Sequence, residues 1–281
     1  MIKAELETKK EELISNDVSV ILFKCETADK PILEKKQIDW VNDAVCGFNV
    51  NVVSFNNSVS EFEQIKANLP ESKYTIVLYS FNPLLTQKNV NLCLDYLLFR
   101  QEKLIKLTYG YIFQTDYLKT INEIKEPVLF SGDASDFLKI ESVQEFGYAT
   151  EVLQHRILHN LINNGVNIAN PANTVVNAFV KVESGATIYP FNTLMGETEI
   201  LKNAVLKEGN TILNSTIGED TIVANSIITN STVSSNCVVF PFNTIENGSF
   251  VGVNCTIKSY NKISCAKIDD NSVVESFNNI G

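Results

Sequence analysis

Histidine is almost absent from this chain. Its 281 residues include two, His155 and His159, so no imidazole follows residue 159. Histidine is the most frequent general base in enzymes, and the C-terminal part of the chain has none to use. The two histidines stand four residues apart in EVLQHRILHNLI, a spacing that binds a metal when another ligand joins it. Because no H-E-x-x-H pattern is present, we interpret them as polar residues on the outer face of a helix.

The sequence also lacks paired cysteines, an excess of basic residues and long apolar runs. No C-x-x-C pair occurs, and we expect the cysteines to be reduced, small buried residues with no metal site. The net charge of −10 argues against nucleic acid or an anionic membrane as the main partner. No run approaches the roughly 18 apolar residues of a membrane span, and the charged N-terminus lacks a signal core, which predicts a cytoplasmic protein. The six cysteines are Cys25, Cys46, Cys93, Cys237, Cys255 and Cys265.

What the chain does have is a regular series of aliphatic residues in its last part. Nineteen of them recur, fourteen times after six residues and four times after five. Neither an α-helix nor an alternating strand has this period, whereas a parallel β-solenoid points one branched side chain per short strand into a common core. Each inward side chain contributes roughly 1.5–3 kcal/mol by burial. The nineteen are Val176, Val182, Ile188, Leu194, Ile200, Leu206, Ile212, Ile217, Val223, Ile228, Val233, Val239, Ile245, Val251, Ile257, Ile263, Ile268, Val274 and Ile280.

Two further patterns refine the solenoid. Small residues stand four places after many of the aliphatic ones, where they allow a sharp turn between faces. The segment IYPFNTLMGETEI recurs 51 residues later as VFPFNTIENGSFV, which predicts that the two PFNT segments lie on the same face, three coils apart. In the alternative interpretation, Pro190 and Pro241 only shape a corner. With three units per coil, residues 166–281 form about six coils. The small positions are Ala186, Thr198, Ala204, Thr216, Thr221, Thr232, Cys237, Ser249, Cys255 and Ser272.

The first 150 residues have a different pattern. Apolar runs typical of strands alternate with helical spacing, which predicts an α/β domain with a mainly parallel sheet. A linker helix over 150–165, ended by Gly165, joins it to the solenoid. The predicted strands are 18–24, 49–55, 74–80, a run near 104–113, and 127–131; the predicted helices are 31–45, 59–69 and 86–101.

The order of these parts resembles the bacterial bifunctional N-acetylglucosamine-1-phosphate uridylyltransferase / glucosamine-1-phosphate N-acetyltransferase family. The junction VLQHRILHNLINNGVNIANPANTVV is similar to the family's linker helix and its G-V-x-I-x-D-P-x-N-T motif, with Asn170 in place of the Asp. VLYSFNPLL (77–85) resembles V-L-Y-G-D-x-P-L-L, and ADKPILEKKQIDWVNDAV (28–45) resembles G-K-P-M-L and its helix. The resemblance implies a truncated, Rossmann-like nucleotidyltransferase domain followed by a left-handed parallel β-helix that assembles as a trimer.

The resemblance also locates a uridylyltransferase site, and this chain departs from it. The family's magnesium-binding Asp falls on Phe81 and its second metal ligand, an Asn, on about Ala149. The glycine-rich loop that cradles phosphates is replaced by LFKCETADKP, which contains no glycine. Because Phe81 and Ala149 offer no side-chain oxygen to a hard cation, we do not expect magnesium or attack on a nucleoside triphosphate.

The acetyltransferase site departs as well. The family's catalytic His falls on Ser276, its substrate-binding Arg on Glu246, and its lysines near Ser264 and Cys265. The charge at Glu246 is reversed, and a one-residue slip in the alignment creates no histidine. We therefore expect neither catalytic residues nor acetyl-CoA as a cofactor.

Three functions stay open on this reasoning. The first is a homotrimer that has lost both active sites and serves as a scaffold, a sensor of sugar nucleotide or a partner of an active paralogue. The second is a hexapeptide-repeat acyltransferase with altered residues; for the asparagines that share one register we prefer turn capping to a role on a ligand-binding face. These are Asn192, Asn243, Asn261 and Asn278.

The third is residual uridylyltransferase activity that uses residues outside the family pattern. Charged residues near the replaced loop and in the later part of the domain are its candidates, although each is an ordinary solvated surface charge in the alternative interpretation. They are Lys24, Asp29, Lys30 and Asp133.

Overall fold

The structure, a computed structural model, describes residues 17–125, 127–130 and 134–281. The candidate Asp133 lies outside these ranges. The chain divides into two compact units, Met1–Ala149 and Thr150–Gly281. Along the described residues, no helix combines the length and the apolar character needed to cross a membrane.

The N-terminal unit is built on one twisted six-stranded sheet. Its strands are β1 (Val18–Lys24), β4 (Asn49–Ser54), β5 (Tyr74–Tyr79), β6 (Leu104–Lys106), β7 (Tyr111–Gln114) and β8 (Val128–Leu129). Their order is β4-β1-β5-β7-β6-β8, with β1 parallel to both of its neighbours. The side chains of β1 from Val18 to Phe23 are buried, as expected for a strand covered on both faces.

Helices cover the two faces of this sheet. They are α1 (Gln37–Ala44), α2 (Glu61–Ala67), α3 (Gln87–Arg100) and α4 (Thr115–Thr120), with a short 3₁₀ helix at Ala134–Phe137. Alternate β1 residues enter different cores: Val20 and Leu22 pack with apolar residues of α1 and α3, and Phe23 packs with residues of α2 and α4. The predicted α/β class is therefore confirmed.

Two predicted elements are wrong in detail. The run near 104–113 is two strands, β6 and β7, which pair antiparallel through a turn closed by the Leu107 N–H and the Gly110 carbonyl at 3.0 Å. Gly110 has φ +97°, and a Cβ there would lie 2.1 Å from the carbonyl oxygen of Val77. The helix expected over 31–45 begins at Gln37, because Pro31–Ile32 (β2) and Lys35–Lys36 (β3) form a hairpin.

Helix α5 (Val143–Asn163) begins earlier than the linker helix expected over 150–165. Ser142 and Glu145 form a reciprocal cap: the Glu145 carboxylate accepts the Ser142 N–H at 2.7 Å, and the Ser142 hydroxyl accepts the Glu145 N–H at 3.3 Å. This S-x-x-E pattern is a capping box that starts a helix. The hydrogen bonds to the carboxylate hold the pKa of Glu145 below its ordinary value.

The C-terminal unit is a parallel β-solenoid of three sheets. Sheet I contains β9 (Asn167–Ile168), β12 (Thr187–Ile188), β15 (Val205–Leu206), β18 (Ile222–Val223), β21 (Val238–Val239), β24 (Thr256–Ile257) and β27 (Val273–Val274). Sheet II contains β10 (Val175–Val176), β13 (Thr193–Met195), β16 (Thr211–Leu213), β19 (Ile227–Thr229), β22 (Thr244–Glu246), β25 (Lys262–Ser264) and β28 (Asn279–Ile280). Sheet III contains β11 (Lys181–Val182), β14 (Glu199–Ile200), β17 (Thr216–Ile217), β20 (Thr232–Val233), β23 (Phe250–Val251) and β26 (Lys267–Ile268).

All nineteen predicted aliphatic residues belong to one core. Seventeen are buried, and Val182 and Ile280 pack against them from partly buried positions. The repeated PFNT segments lead into β13 and β22, which are three strands apart in sheet II, so that prediction is confirmed. The corner residues Phe191 and Phe242 have φ of 62° and 68°.

The register of the small residues needs a correction at the five-residue steps. The sequence pattern predicts turns at Thr216 and Thr232, but both residues lie in strands with partly exposed side chains. Ser215 and Ser231 are buried there instead. The small residue stands two places before the next aliphatic residue, because a five-residue step shortens the corner and leaves the strand intact.

Candidate functional site

The carboxyl ends of β1 and β5 are the place where a sheet of this kind binds ligands. In this chain Ser80 and Phe81 follow β5 and are 0% and 7% exposed. The Ser80 hydroxyl accepts the backbone N–H of Cys25 at 2.9 Å. This bond joins the two strand ends directly and uses the hydroxyl that a ligand would otherwise meet. Burial is the largest effect on the Cys25 thiol and raises its pKa.

Aromatic rings fill the same edge. The rings of Tyr79 and Phe81 are stacked with centroids 4.9 Å apart, and Tyr109 meets Phe81 edge-on at 5.3 Å. Tyr79 also donates a hydrogen bond to Glu61. Burial first, and that carboxylate second, raise the pKa of Tyr79 far above its ordinary value. The ends of the strands are therefore covered by stacked aromatic rings.

The segment Phe137–Glu141 covers this edge from outside. The Ile140 N–H donates to the Phe81 carbonyl at 2.9 Å, and Nδ2 of Asn82 donates to the Phe137 carbonyl at 2.8 Å. The Lys139 ammonium lies 5.0 Å from the centre of the Phe81 ring, within cation–π range. Backbone and side chain together enclose the position that the resemblance assigns to the metal-binding carboxylate.

The residues present do not fit magnesium. Phe81 has an apolar ring and Ala149, which is fully buried, has a methyl group. Oδ1 of Asn82 is a buried oxygen without a hydrogen-bond partner. It could offer magnesium one neutral ligand atom, whereas this ion prefers carboxylate ligands. Across the described part of the chain, no group of three His, Cys, Asp or Glu side chains is arranged to hold a metal ion.

The loop after β1 is a pair of turns that use their own N–H groups. The Ala28 N–H donates to the Cys25 carbonyl at 3.1 Å, and the Lys30 N–H donates to the Thr27 carbonyl at 2.9 Å. A phosphate-binding loop instead points such groups at the ligand. The replaced loop therefore differs from the family's in hydrogen bonding as well as in length.

The charged candidates near this loop contact neighbouring side chains of the same unit. Asp29 bonds Lys24 at 2.7 Å and Lys36 at 3.0 Å. Hydrogen bonds from these ammonium groups, Lys24 first, hold the pKa of Asp29 below its ordinary value. The Lys30 ammonium lies 5.6 Å from the centre of the Phe146 ring. These contacts are those of solvated surface charges.

The solenoid positions assigned to acetyl transfer carry no imidazole. Glu246 forms an ion pair with Lys262 at 3.1 Å, so its reversed charge is matched by a neighbour in the next coil. The Ser264 hydroxyl accepts Nδ2 of Asn247 at 2.9 Å. Cys265 is exposed and Ser276 is partly exposed. Nothing in this set removes a proton in the way that an imidazole does.

The asparagines proposed for a ligand-binding face lie inside the solenoid corner. Asn192, Asn243 and Asn261 are at most 2% exposed. Nδ2 of each donates to the carbonyl three residues earlier, at 2.6–2.7 Å. Asn278 makes the same bond at the exposed end of the chain. The preferred turn-capping interpretation is confirmed, and the surface interpretation is wrong for the three buried asparagines.

These amides also join consecutive coils into a ladder. Oδ1 of Asn192 accepts the backbone N–H of Asn210, and Oδ1 of Asn210 accepts that of Ser226. The ladder continues through Asn243 and ends at Asn278. Sequence analysis missed Asn210 and Ser226, although both stand two places before an aliphatic residue, which is the signal that identifies them.

Two buried cysteines take part in a second series of hydrogen bonds between consecutive coils. The Cys237 N–H donates to the Thr221 hydroxyl at 3.0 Å. The Cys237 and Cys255 thiols donate to the Gly252 and Asp269 carbonyls at 3.0 and 3.1 Å. These residues act as Ser or Thr do in neighbouring coils. The expectation that all six cysteines are buried is wrong for Cys46 and Cys265, which are exposed.

This arrangement predicts which thiols react in the folded protein. A thiol reagent should modify Cys46 and Cys265 first, and Cys93, Cys237 and Cys255 only after unfolding. Burial raises the pKa of Cys93 to about 12, so little of the reactive thiolate exists at neutral pH. Peptide mass spectrometry after a short reaction measures the order, with the denatured protein as control. Fast labelling of Cys93 in the native protein would contradict its buried position in the core of the N-terminal unit.

The two histidines lie on the exposed face of α5, as expected from the sequence. Their ring centroids are 6.1 Å apart with planes at 26°. Asn163 lies one turn further along, with its Nδ2 2.9 Å from Nδ1 of His159. The pair takes no part in either family site.

Comparisons with known proteins agree with the fold. No protein-family model matches the chain. It is 29% identical over 173 residues to the bifunctional protein GlmU of Clostridium novyi and 30% identical over 173 residues to that of Clostridium acetobutylicum. It is 25% identical over 174 residues to the GlmU of Brevibacillus brevis. Each alignment covers 61% of this chain, and the chain spans 38% of the length of each relative.

Two solved structures show weak similarity. A 4-diphosphocytidyl-2C-methyl-D-erythritol synthase from Anaerococcus prevotii covers 50% of the chain at 13% identity and a TM-score of 0.39, with 99% of its own chain matched. A variant of perosamine N-acetyltransferase from Caulobacter crescentus, solved with CoA and GDP-perosamine, covers 93% at 12% identity and a TM-score of 0.25, with 90% of its own chain matched. The fold assignment therefore depends on the sheet order given above.

The sequence identity, the α/β sheet and the solenoid agree with the family resemblance stated from the sequence. The chain is similar to the bifunctional GlmU proteins and spans 38% of the length of the relatives that it matches.

Proposed function

We propose that this chain is a non-catalytic relative of the sugar-nucleotide transferases that acts as a homotrimeric scaffold or regulatory protein. The observation that carries the proposal is the closed edge of the sheet. There Phe81, at the position that the resemblance assigns to the magnesium-binding carboxylate, lies under the backbone of Phe137–Glu141. A ligand could reach that edge only after this segment moves and breaks at least two buried hydrogen bonds.

A second, independent line supports the proposal. Acyl transfer to an amine or hydroxyl needs a base that accepts a proton, and the solenoid has no histidine. The asparagines that could have formed an altered site are engaged inside the corner. Both half-reactions therefore lack the residues that the family resemblance assigns to them.

The trimer is supported by the outward face of sheet I. In each strand of the solenoid the residue before the inward aliphatic one points outward. Four of these seven residues are aliphatic in sheet I and two of seven in sheet II, whereas Phe250 is the one apolar residue among the six of sheet III. Ile222 and Val273 of sheet I are 36% and 59% exposed. Three of the four lie in the adjacent strands β15, β18 and β21, and Thr256 of β24 separates them from Val273. An exposed apolar stripe of this kind is typical of an interaction surface. The four are Val205, Ile222, Val238 and Val273.

The proposed loss of function is tested by assays of the purified chain. We expect no UDP-N-acetylglucosamine from UTP and the sugar phosphate with magnesium, and no free thiol from acetyl-CoA with glucosamine-1-phosphate. Either product, abolished by a substitution in this chain, would refute the proposal.

The Phe81→Asp variant is expected to stay inactive as a uridylyltransferase. Restoring one carboxylate supplies neither the glycine-rich loop nor a second metal ligand, and the Phe137–Glu141 segment still covers the edge. The measurement is UDP-N-acetylglucosamine formation, with Phe81→Leu as the matched control and circular dichroism to verify folding. Product formed by Phe81→Asp and not by Phe81→Leu would mean that a single residue separates the chain from activity.

A further inference from the structure

We propose that His155 and His159 form a two-histidine chelate for a divalent transition metal ion on the exposed face of α5. The proposal is independent of the proposed function, since neither residue belongs to the closed edge or to the solenoid corners. Residues four apart on a helix are direct neighbours. Both imidazoles are exposed, so a hydrated ion reaches them without any opening of the fold.

The rings are near enough to meet at one ion after a change of rotamer. A metal bound at about 2.1 Å from a ring nitrogen lies about 3 Å from the ring centre, so two rings around one tetrahedral or octahedral ion have centres about 4–5 Å apart. The observed centroid separation is 6.1 Å. Exposed rings close the remaining difference by rotation about their side-chain bonds, and the helix backbone stays in place.

Asn163 adds the partner that ligating histidines usually have. Such a histidine donates its second N–H to an oxygen, which fixes the ring and leaves the other nitrogen for the metal. Nδ1 of His159 already lies 2.9 Å from the Asn163 amide. A 180° flip of the Asn163 amide places its Oδ1 where it accepts a hydrogen bond from Nδ1–H of His159. The positions of the heavy atoms do not distinguish the two orientations of the amide. Nε2 of His159 is then free to bind the ion.

The remaining features define the class of ion. With two imidazole donors and no third protein ligand grouped with them in the described residues, the other coordination positions belong to water. Imidazole suits nickel, copper and zinc rather than magnesium or calcium. Glu151 stands one turn before His155 on the same exposed side of the helix, and its negative charge favours a bound cation. The site is therefore a labile chelate for borderline ions.

The test is a titration of the full chain with Ni²⁺ in weakly basic buffer, in which calorimetry measures the affinity and the number of sites. We expect one site per chain and a loss of affinity of at least about tenfold in His155→Asn and in His159→Asn, because each variant turns a chelate into a single ligand. The matched control is the double variant His159→Asn, Asn160→His. It keeps two imidazoles on the helix but moves one away from the i, i+4 position, and we expect it to bind as weakly as the single variants.

A second readout separates this chelate from binding at the exposed cysteines. Bound Ni²⁺ should raise the melting temperature of the original chain and leave that of the rearranged pair unchanged, since only a ligand held by the folded helix stabilises it. The cysteines are the same in every variant, so their contribution cancels. Equal affinity in the original chain and in the rearranged pair would overturn the proposal.

Discussion

The Asn210→Ala variant is expected to lose about 3 kcal/mol or more of the free energy of unfolding of the solenoid, because several buried groups lose their partners together. Nδ2 of Asn210 bonds Oδ1 of Asn192 at 2.9 Å and the Lys207 carbonyl at 2.7 Å, and Oδ1 accepts the Ser226 N–H at 2.9 Å. The residue is 0% exposed, so water cannot replace these bonds. Denaturant unfolding followed by circular dichroism measures the loss.

Asn278→Ala is the matched control for that variant. Asn278 occupies the same register at the end of the ladder, but its side chain is exposed and makes one bond, to the Glu275 carbonyl at 2.7 Å. Water replaces that bond, and we expect a change within about 1 kcal/mol. Similar losses in the two variants would show that burial of the ladder is not what stabilises the corner.

The Ile222→Asp variant is expected to convert a trimer into monomers. In the proposed assembly the outward face of sheet I is buried, and each copy would bring one uncompensated carboxylate into that apolar contact, which is strongly unfavourable. Light scattering with size-exclusion chromatography should report three times the chain mass of 31.3 kDa for the original protein and a single chain mass for the variant.

Thr216→Asp provides the comparison for the assembly. Thr216 is the outward residue of β17 in sheet III, whose outward positions include Lys181, Glu199 and Lys267. A carboxylate in that polar setting should leave the mass unchanged. A monomeric original protein, or dissociation by Thr216→Asp and not by Ile222→Asp, would rule out sheet I as the contact.

The solenoid could be read from the sequence because its determinant is local and repeated. Each inward aliphatic residue, such as Ile212 or Val239, marks a strand without knowledge of any other part of the chain. The same reasoning located β1 and β5 from continuous apolar runs. It failed at 31–36, where Leu33 and Glu34 both adopt positive φ and make a tight hairpin turn that their residue types do not favour.

The candidate site was predictable only in part. The residue types at Phe81, Glu246 and Ser276 were enough to argue that the family's chemistry is missing. The closure of the edge was not, because it depends on contacts such as that of Ile140 with Phe81, between segments about 60 residues apart. In the asparagine ladder, only Ser226 stands at a five-residue step, where counting forward from the preceding aliphatic residue gives the wrong register.

Single-turnover measurement with the purified chain in excess over radiolabelled sugar phosphate tests the central claim most directly. In the presence of UTP and magnesium, and in a parallel reaction with acetyl-CoA and the labelled amino sugar phosphate, the account predicts that all label stays in the starting material. Because the chain is in excess, even an active site with slow turnover would convert a measurable share of the label. Such conversion within one incubation, in either reaction, would contradict the proposed loss of activity.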